Sequence, residues 1–342
     1  MEVFLNLEKF SKLIIDFYIL KNIERIYNNS NQFYCCKMFD DKKFEEIEKK
    51  FFEFLNVIKP IKWENWVRLF KLAEKNGIHI TKSGFYSPIP TITELSNTMF
   101  EEKKQLHIEW NEMNQKKLLK EFQKYSHEFK EIIDNGMYEL VGNGFGVHDA
   151  PIYYSFIRHF KPNLIIEVGA GNSTRLASMA AEKNANTKIT AIDPFVRDLR
   201  KINIPKSVNF IEKPVQSVSL SVFEELSEND ILFIDSSHVS KTGSDVNFLY
   251  LEILPILKPG VIIHIHDIFL PKTYPKKWLE EKLVFWNEQF LLHAFLIGNK
   301  KFEIMLGNFF LSQFYPELLK EFFDTKLAPG GGSFWIQRNN QT

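Results

Sequence analysis

From residue 163 onward the hydrophobic pattern alternates between two periods. Apolar runs of strand length occupy 163–168, 188–193, 207–211, 230–235 and 261–266, and stretches of helical period occupy 148–160, 172–184, 244–257 and 276–296. Interleaved in this order they predict an α/β chain, a doubly wound parallel sheet with helices on both faces. Lys301 to Leu306 reads as a further strand, and Gly332 to Gln337 as another, after the triple-glycine turn at 330–332.

The first part of the chain follows only the helical period. Phe10, Leu13, Ile14 and Phe17 mark one amphipathic helix, and Phe44, Ile47, Phe51, Phe54 and Leu55 mark a second. A third is expected from Glu64 to Glu74 with Gly77 as its C-cap, and another from Asn111 to Ile133. Between them Ser83 to Pro90 holds two prolines and reads as a loop. The connector Gly142-Asn143-Gly144-Phe145-Gly146 places a boundary near residue 140, giving a helical N-terminal region at 1–140, expected to cover the acceptor side, and a core at 141–342. No internal repeat or low-complexity tract interrupts this plan.

Composition narrows the class. The 342 residues carry 43 basic and 43 acidic side chains, so no global field draws the chain to nucleic acid or to an anionic membrane. Hydrophobic residues make up 44%, enough for a sizeable core. The two cysteines, Cys35 and Cys36, are vicinal, which disfavours a disulfide and fits a reducing compartment. Glu2, Lys12 and Asp16 break the N-terminal apolar run, so neither a signal peptide nor a membrane span is expected, and the expected location is cytoplasmic. An apolar face on the N-terminal helices is open to two readings, a homo-oligomer contact or packing on the core.

The candidate chemistry begins at Ile165-Ile166-Glu167-Val168-Gly169-Ala170-Gly171-Asn172-Ser173-Thr174, where an apolar strand opens into a glycine turn and a helix start. Gly169 and Gly171 allow a sharp turn and a close ligand approach, and Asn172 and Ser173 offer amides at a helix N-terminus. Thr174 stands where the dinucleotide fingerprint places its third glycine. Glu167 repels a pyrophosphate and suits a cationic ligand bearing an amine, such as S-adenosylmethionine. Asp193 ends the next strand, where a carboxylate accepts ribose hydroxyls in either kind of nucleotide site.

Ligands of open parallel sheets lie beyond the carboxyl ends of the strands. Asp235, followed by Ser236 and His238, ends the fourth strand, and His266 and Asp267 end the fifth. Asp235, His266 and Asp267 form an oxygen and nitrogen set for a divalent cation, which would lower the pKa of a substrate hydroxyl, while His238 removes its proton. The same residue types also have plain structural uses: Asp235 as a turn cap, Asp267 as a partner of loop amides, His264 facing a packed helix.

On the residues Glu167 to Thr174, Ile192-Asp193-Pro194, Phe233 to His238 and His264 to Pro271, with weaker support from Gly146 to Ala150 and Phe285 to Gln289, the region from about 142 to 337 resembles a class I S-adenosylmethionine-dependent methyltransferase of the family 24 branch. Within that branch it is similar to macrolide-sugar O-methyltransferases. The resemblance implies a Rossmann-like seven-stranded sheet whose last strand is antiparallel. It also implies a strand-four Asp and a strand-five acidic pair holding magnesium, with a His three residues after the first Asp as base. Asp235, His238 and Asp267 fit that pattern, whereas His266 stands in place of a glutamate, which favours Mn, Fe, Ni or Zn. The expected cofactor contacts are Glu167, Gly169, Ala170, Gly171, Asn172, Ser173, Asp193, Gln216, Asp235 and Ser236, with a small-molecule or sugar acceptor. His148 and Asp149 lie either near the methionine end of the cofactor or in a helix-dipole role. Trp278, Phe285 and Trp286 read as core, and Arg175 and Lys241 as solvated charges. Two other classes remain open on residues alone: a nicotinamide oxidoreductase using Gly169, Gly171 and Asp193, and a non-catalytic scaffold.

Overall fold

The computed structural model describes residues 41–95, 100, 106–139, 145–184, 186–195, 204–323 and 330–339. The expected helix around Phe10 to Phe17, Cys35 and Cys36, and Gly142 to Gly144 of the connector lie outside them. The chain divides into two compact units, 1–90 and 91–342. In the first, helices Asp41–Ile58 and Trp63–Glu74 appear as the pattern expects, and the second ends in a turn closed by Gly77, whose φ is 73°. Residues 81–90 are loop.

The larger unit is a seven-stranded sheet: β1 (Leu164–Val168), β2 (Lys188–Ile192), β3 (Asn209–Ile211), β4 (Ile231–Ile234), β5 (Ile262–Ile265), β6 (Phe302–Gly307) and β7 (Phe334–Arg338), in the order β3-β2-β1-β4-β5-β7-β6. The first five pair in parallel and β7 lies antiparallel between β5 and β6. Every residue of β4 and β5 is buried, as strands covered on both faces require. One face packs aromatics from helix Ala150–Phe160, with Phe156 stacked on Trp335 at 3.7 Å; the other packs Leu249, Ile253 and Leu292. Helix Ala150–Phe160 begins with Pro151 in its first turn and stops where Lys161 turns left-handed ahead of Pro162. Among the described residues no helix is long and apolar enough to cross a membrane.

Two helix expectations need correction. The helix expected from Asn111 to Ile133 is two, Glu112–Phe122 and Ser126–Asp134, joined by a tighter turn at Gln123–Tyr125. Both belong to the larger unit. Leu119 and Phe122 enter its core, and the buried Gln115 accepts from Gly307 N at the end of β6. The helix expected over 276–296 is also two, Lys276–Glu280 and Glu288–Leu296. Hydrogen bonds from Asn287 N and Glu288 N to the His238 carbonyl pull the intervening strap out of helical register.

Candidate active site

Strand register builds the site. Val168 pairs with Ile192 and with Ile234, and Ile234 with Ile265, so the next residues, Gly169, Asp193, Asp235 and His266, emerge side by side at the carboxyl edge. This edge includes the switch between β1 and β4, where neighbouring crossovers diverge.

At the β1 end the backbone is tightly fitted. Gly169 has φ 86°, and a Cβ there would lie 1.8 Å from the Asp235 carbonyl oxygen. At Gly171 a Cβ meets no protein atom within 4 Å, so packing does not demand glycine at that position. Glu167 is fully buried; one carboxylate oxygen accepts from Ser173 Oγ and the other has no partner. Burial pushes its pKa up to about 8. Asp193 braces the turn, accepting from Ala170 N at 3.0 Å and from Phe195 N at 2.6 Å. Asn172 begins the helix Asn172–Asn184. Gln216 lies on the turn after β3 with its amide donated to the Gly243 carbonyl, and the Ser236 hydroxyl is buried without a partner.

Beyond β4 and β5 four groups converge. His238 Nε2 lies 3.2 Å from Asp235 Oδ1 and 3.7 Å from Asp267 Oδ2; His266 Nδ1 lies 3.6 Å and 3.5 Å from the same two oxygens. Both His238 and Asp267 adopt left-handed backbone, φ 58° and 56°, which turns their side chains into the cluster. Donor atoms of Asp235, His238 and Asp267 lie within 4.8 Å of one another, and a third of the Asp235 side chain is exposed where His238 is buried. Desolvation raises the Asp235 carboxyl, but His266 and His238 outweigh it and hold it well below the usual carboxylate range. Burial lowers His238, yet its hydrogen bonds to Asp235 and Glu288 push it up to about 10. With two carboxylates and two imidazoles converging, the donor chemistry fits a divalent cation.

The structure also assigns groups that sequence left open. Glu288, given no role above, is buried at the start of its helix and meets His238 Nδ1 at 2.8 Å. Its sequence signal is the polar triplet Asn287-Glu288-Gln289 interrupting an aromatic and apolar run. Asp149 makes no side-chain helix cap; it accepts from Ser333 N at 2.8 Å, Gly332 N at 3.2 Å and Asn308 Nδ2 at 2.8 Å, and it faces His266 Nε2 at 3.6 Å. The glycine turn is what permits this, since a Cβ on Gly331 would lie 2.7 Å from Asp149 Oδ1 and one on Gly332 2.9 Å from Asp267 Cα. His264 packs on Phe233 at 4.0 Å and bonds Ser333 Oγ, a packing role. Trp286, expected in the core, is half-buried and lies against the His238 ring at 4.3 Å. Arg175 bonds the Met137 carbonyl, and Lys241 is exposed.

A family model described as a methyltransferase domain matches residues 166–268, the stretch from β1 to just beyond Asp267. An uncharacterized protein of Archaeoglobus fulgidus is 35% identical over 185 residues, 46% of this chain and 80% of the relative. Among solved structures, the plantazolicin methyltransferase in complex with SAH aligns at 18% identity and TM-score 0.39, over 67% of this chain and 97% of its own. An O-methyltransferase of Streptomyces achromogenes involved in tomaymycin synthesis, in complex with SAM, aligns at 11% identity and TM-score 0.35, over 65% and 90%.

Proposed function

We propose that this chain is a class I S-adenosylmethionine-dependent methyltransferase that methylates a hydroxyl of a sugar unit or another small molecule, with His238 as the base; the methyltransferase-domain match over residues 166–268 supports the family reading. Its reactive sulfonium means that S-adenosylmethionine, when bound, supplies the methyl group by in-line displacement. Glu167 offers its unpartnered oxygen to the ammonium of the methionine moiety, Asp193 its remaining lone pairs to the ribose, and Gly171 the room for close approach. On the acceptor side Asp235 and Asp267 orient the hydroxyl beside His238 Nε2, which takes its proton, while Glu288 holds Nδ1 and so fixes the ring.

In the ligand-free protein the carboxylates keep His238 protonated at neutral pH. Asp235, His266 and Asp267 would hold a divalent cation, which when bound would offset the pull of the carboxylates on His238 and would lower the pKa of an acceptor hydroxyl. The observation that carries the reading is one continuous edge with an unsatisfied buried carboxylate at β1 and a base between two carboxylates at β4 and β5. The test is transfer of isotope-labelled methyl from S-adenosylmethionine to a panel of glycosides and phenols with and without EDTA. Metal-dependent labelling at oxygen is expected; labelling confined to nitrogen or carbon acceptors would refute it.

Glu167 gives the cofactor site a pH signature. With a pKa of about 8 it carries a proton at pH 7, and an incoming ammonium favours the ionised form, so binding releases a proton. Affinity therefore rises with pH below that value, by up to about tenfold between pH 6 and 7 for one linked proton. Equilibrium dialysis of S-adenosylhomocysteine at the two pH values measures the slope. Glu167→Gln should bind more weakly and show no slope, and an equal slope in that variant would remove Glu167 from the ammonium site.

A further inference from the structure

We propose that Asp235, His266 and Asp267 form a centre selective for a transition-metal dication over magnesium, with Asp149 bracing His266 from behind. The proposal rests on reading this crevice as the acceptor end of a methyltransferase site, but concerns which ion the residues take. Both ring nitrogens of His266 are buried and neither makes a hydrogen bond. Its contacts are instead ion-pair distances to three carboxylates, and their placement indicates what the ring can hold. Nδ1 faces Asp235 Oδ1 at 3.6 Å and Asp267 Oδ2 at 3.5 Å. Ligands on metal bonds of about 2.1 Å lie roughly 3.0 to 3.5 Å apart in octahedral or tetrahedral shells, so these separations need only slight closure.

The opposite nitrogen, Nε2, faces Asp149 Oδ2 at 3.6 Å. A carboxylate behind a ligating histidine fixes its tautomer and strengthens it as a donor. Asp149 is built for a fixed position, held by two backbone amides of the glycine turn and by Asn308. His238 differs: Nδ1 is bonded to Glu288 at 2.8 Å and Nε2 to Asp235 at 3.2 Å, so both its nitrogens are satisfied within the protein. That contrast gives His266 the ligand role and leaves His238 to the acceptor. Magnesium favours an all-oxygen shell, whereas imidazole favours manganese, iron, cobalt or zinc.

The test uses the full chain, stripped with chelator, and reads metal binding without any acceptor. Titration with cobalt(II), followed by its visible absorption, should give one bound ion per chain that excess magnesium does not displace. His266→Glu should restore magnesium competition, and Asp149→Asn should weaken cobalt by about tenfold to a hundredfold, the usual effect of removing such a brace. His238→Ala, which removes a neighbour of Asp235 and Asp267 rather than the proposed ligand, should lower cobalt affinity less than His266→Ala does. Absence of cobalt binding to the wild-type protein, displacement by magnesium at parity, unchanged affinity in His266→Ala, or a larger loss in His238→Ala than in His266→Ala would each overturn the proposal. The wild-type competition needs no variant to fold, and labelled methyl transfer separately decides the reading on which the proposal rests.

Discussion

Replacing His238 with alanine is expected to lower kcat by roughly a thousandfold, the range of a positioned general base, with cofactor affinity unchanged. The two effects separate because His238 touches Asp235, Asp267 and Glu288 rather than Glu167 or the glycine turn. Initial rates with labelled S-adenosylmethionine and dialysis of S-adenosylhomocysteine provide the two readings. Glu288→Gln should reduce kcat less, since a glutamine oxygen can still accept from Nδ1. It should also move the rise of kcat/KM with pH to lower pH, because the carboxylate no longer raises the proton affinity of His238. A variant lacking His238 that turns over at the wild-type rate would assign the proton to another group.

Gly169→Ala is expected to be the most damaging single methyl group in the core. Its φ of 86° already costs an alanine about 1–2 kcal/mol. The new Cβ would also sit 1.8 Å from the Asp235 carbonyl oxygen, which is backbone and cannot rotate away. Only separation of the β1 and β4 tips relieves the overlap, so a total loss of at least about 4 kcal/mol follows, a large share of ordinary domain stability. Gly171→Ala is the matched control. Its Cβ meets no protein atom, so stability measured by denaturant titration should hold while affinity for S-adenosylhomocysteine falls. If Gly169→Ala melts with the wild-type protein, the turn geometry described above is wrong.

Much of this edge was legible before any coordinates. Strand length and apolar runs located β1, β2, β4 and β5, and a parallel sheet must place the residues after them at one edge, so Glu167, Asp193, Asp235, His238, His266 and Asp267 could be named from position alone. What escaped depends on contacts across long sequence distances. Glu288 was hidden inside an apparently continuous helix, because the bonds from Asn287 and Glu288 to the His238 carbonyl have no local signature. Asp149 was open to two readings from its place at a helix start, and its actual partners come from the glycine turn ahead of β7 and from Asn308. The triple glycine was recognised as a turn, but its purpose, a close passage over Asp149 and Asp267, belongs to the folded sheet.

The most direct test is calorimetric titration of the wild-type chain and of Asp193→Ala with S-adenosylmethionine and, separately, with NADH. A sulfonium nucleoside bound between Glu167 and Asp193 predicts saturable one-to-one binding of S-adenosylmethionine, strongly weakened in the variant, and no NADH heat. Saturable binding of NADH, with S-adenosylmethionine silent, would contradict it.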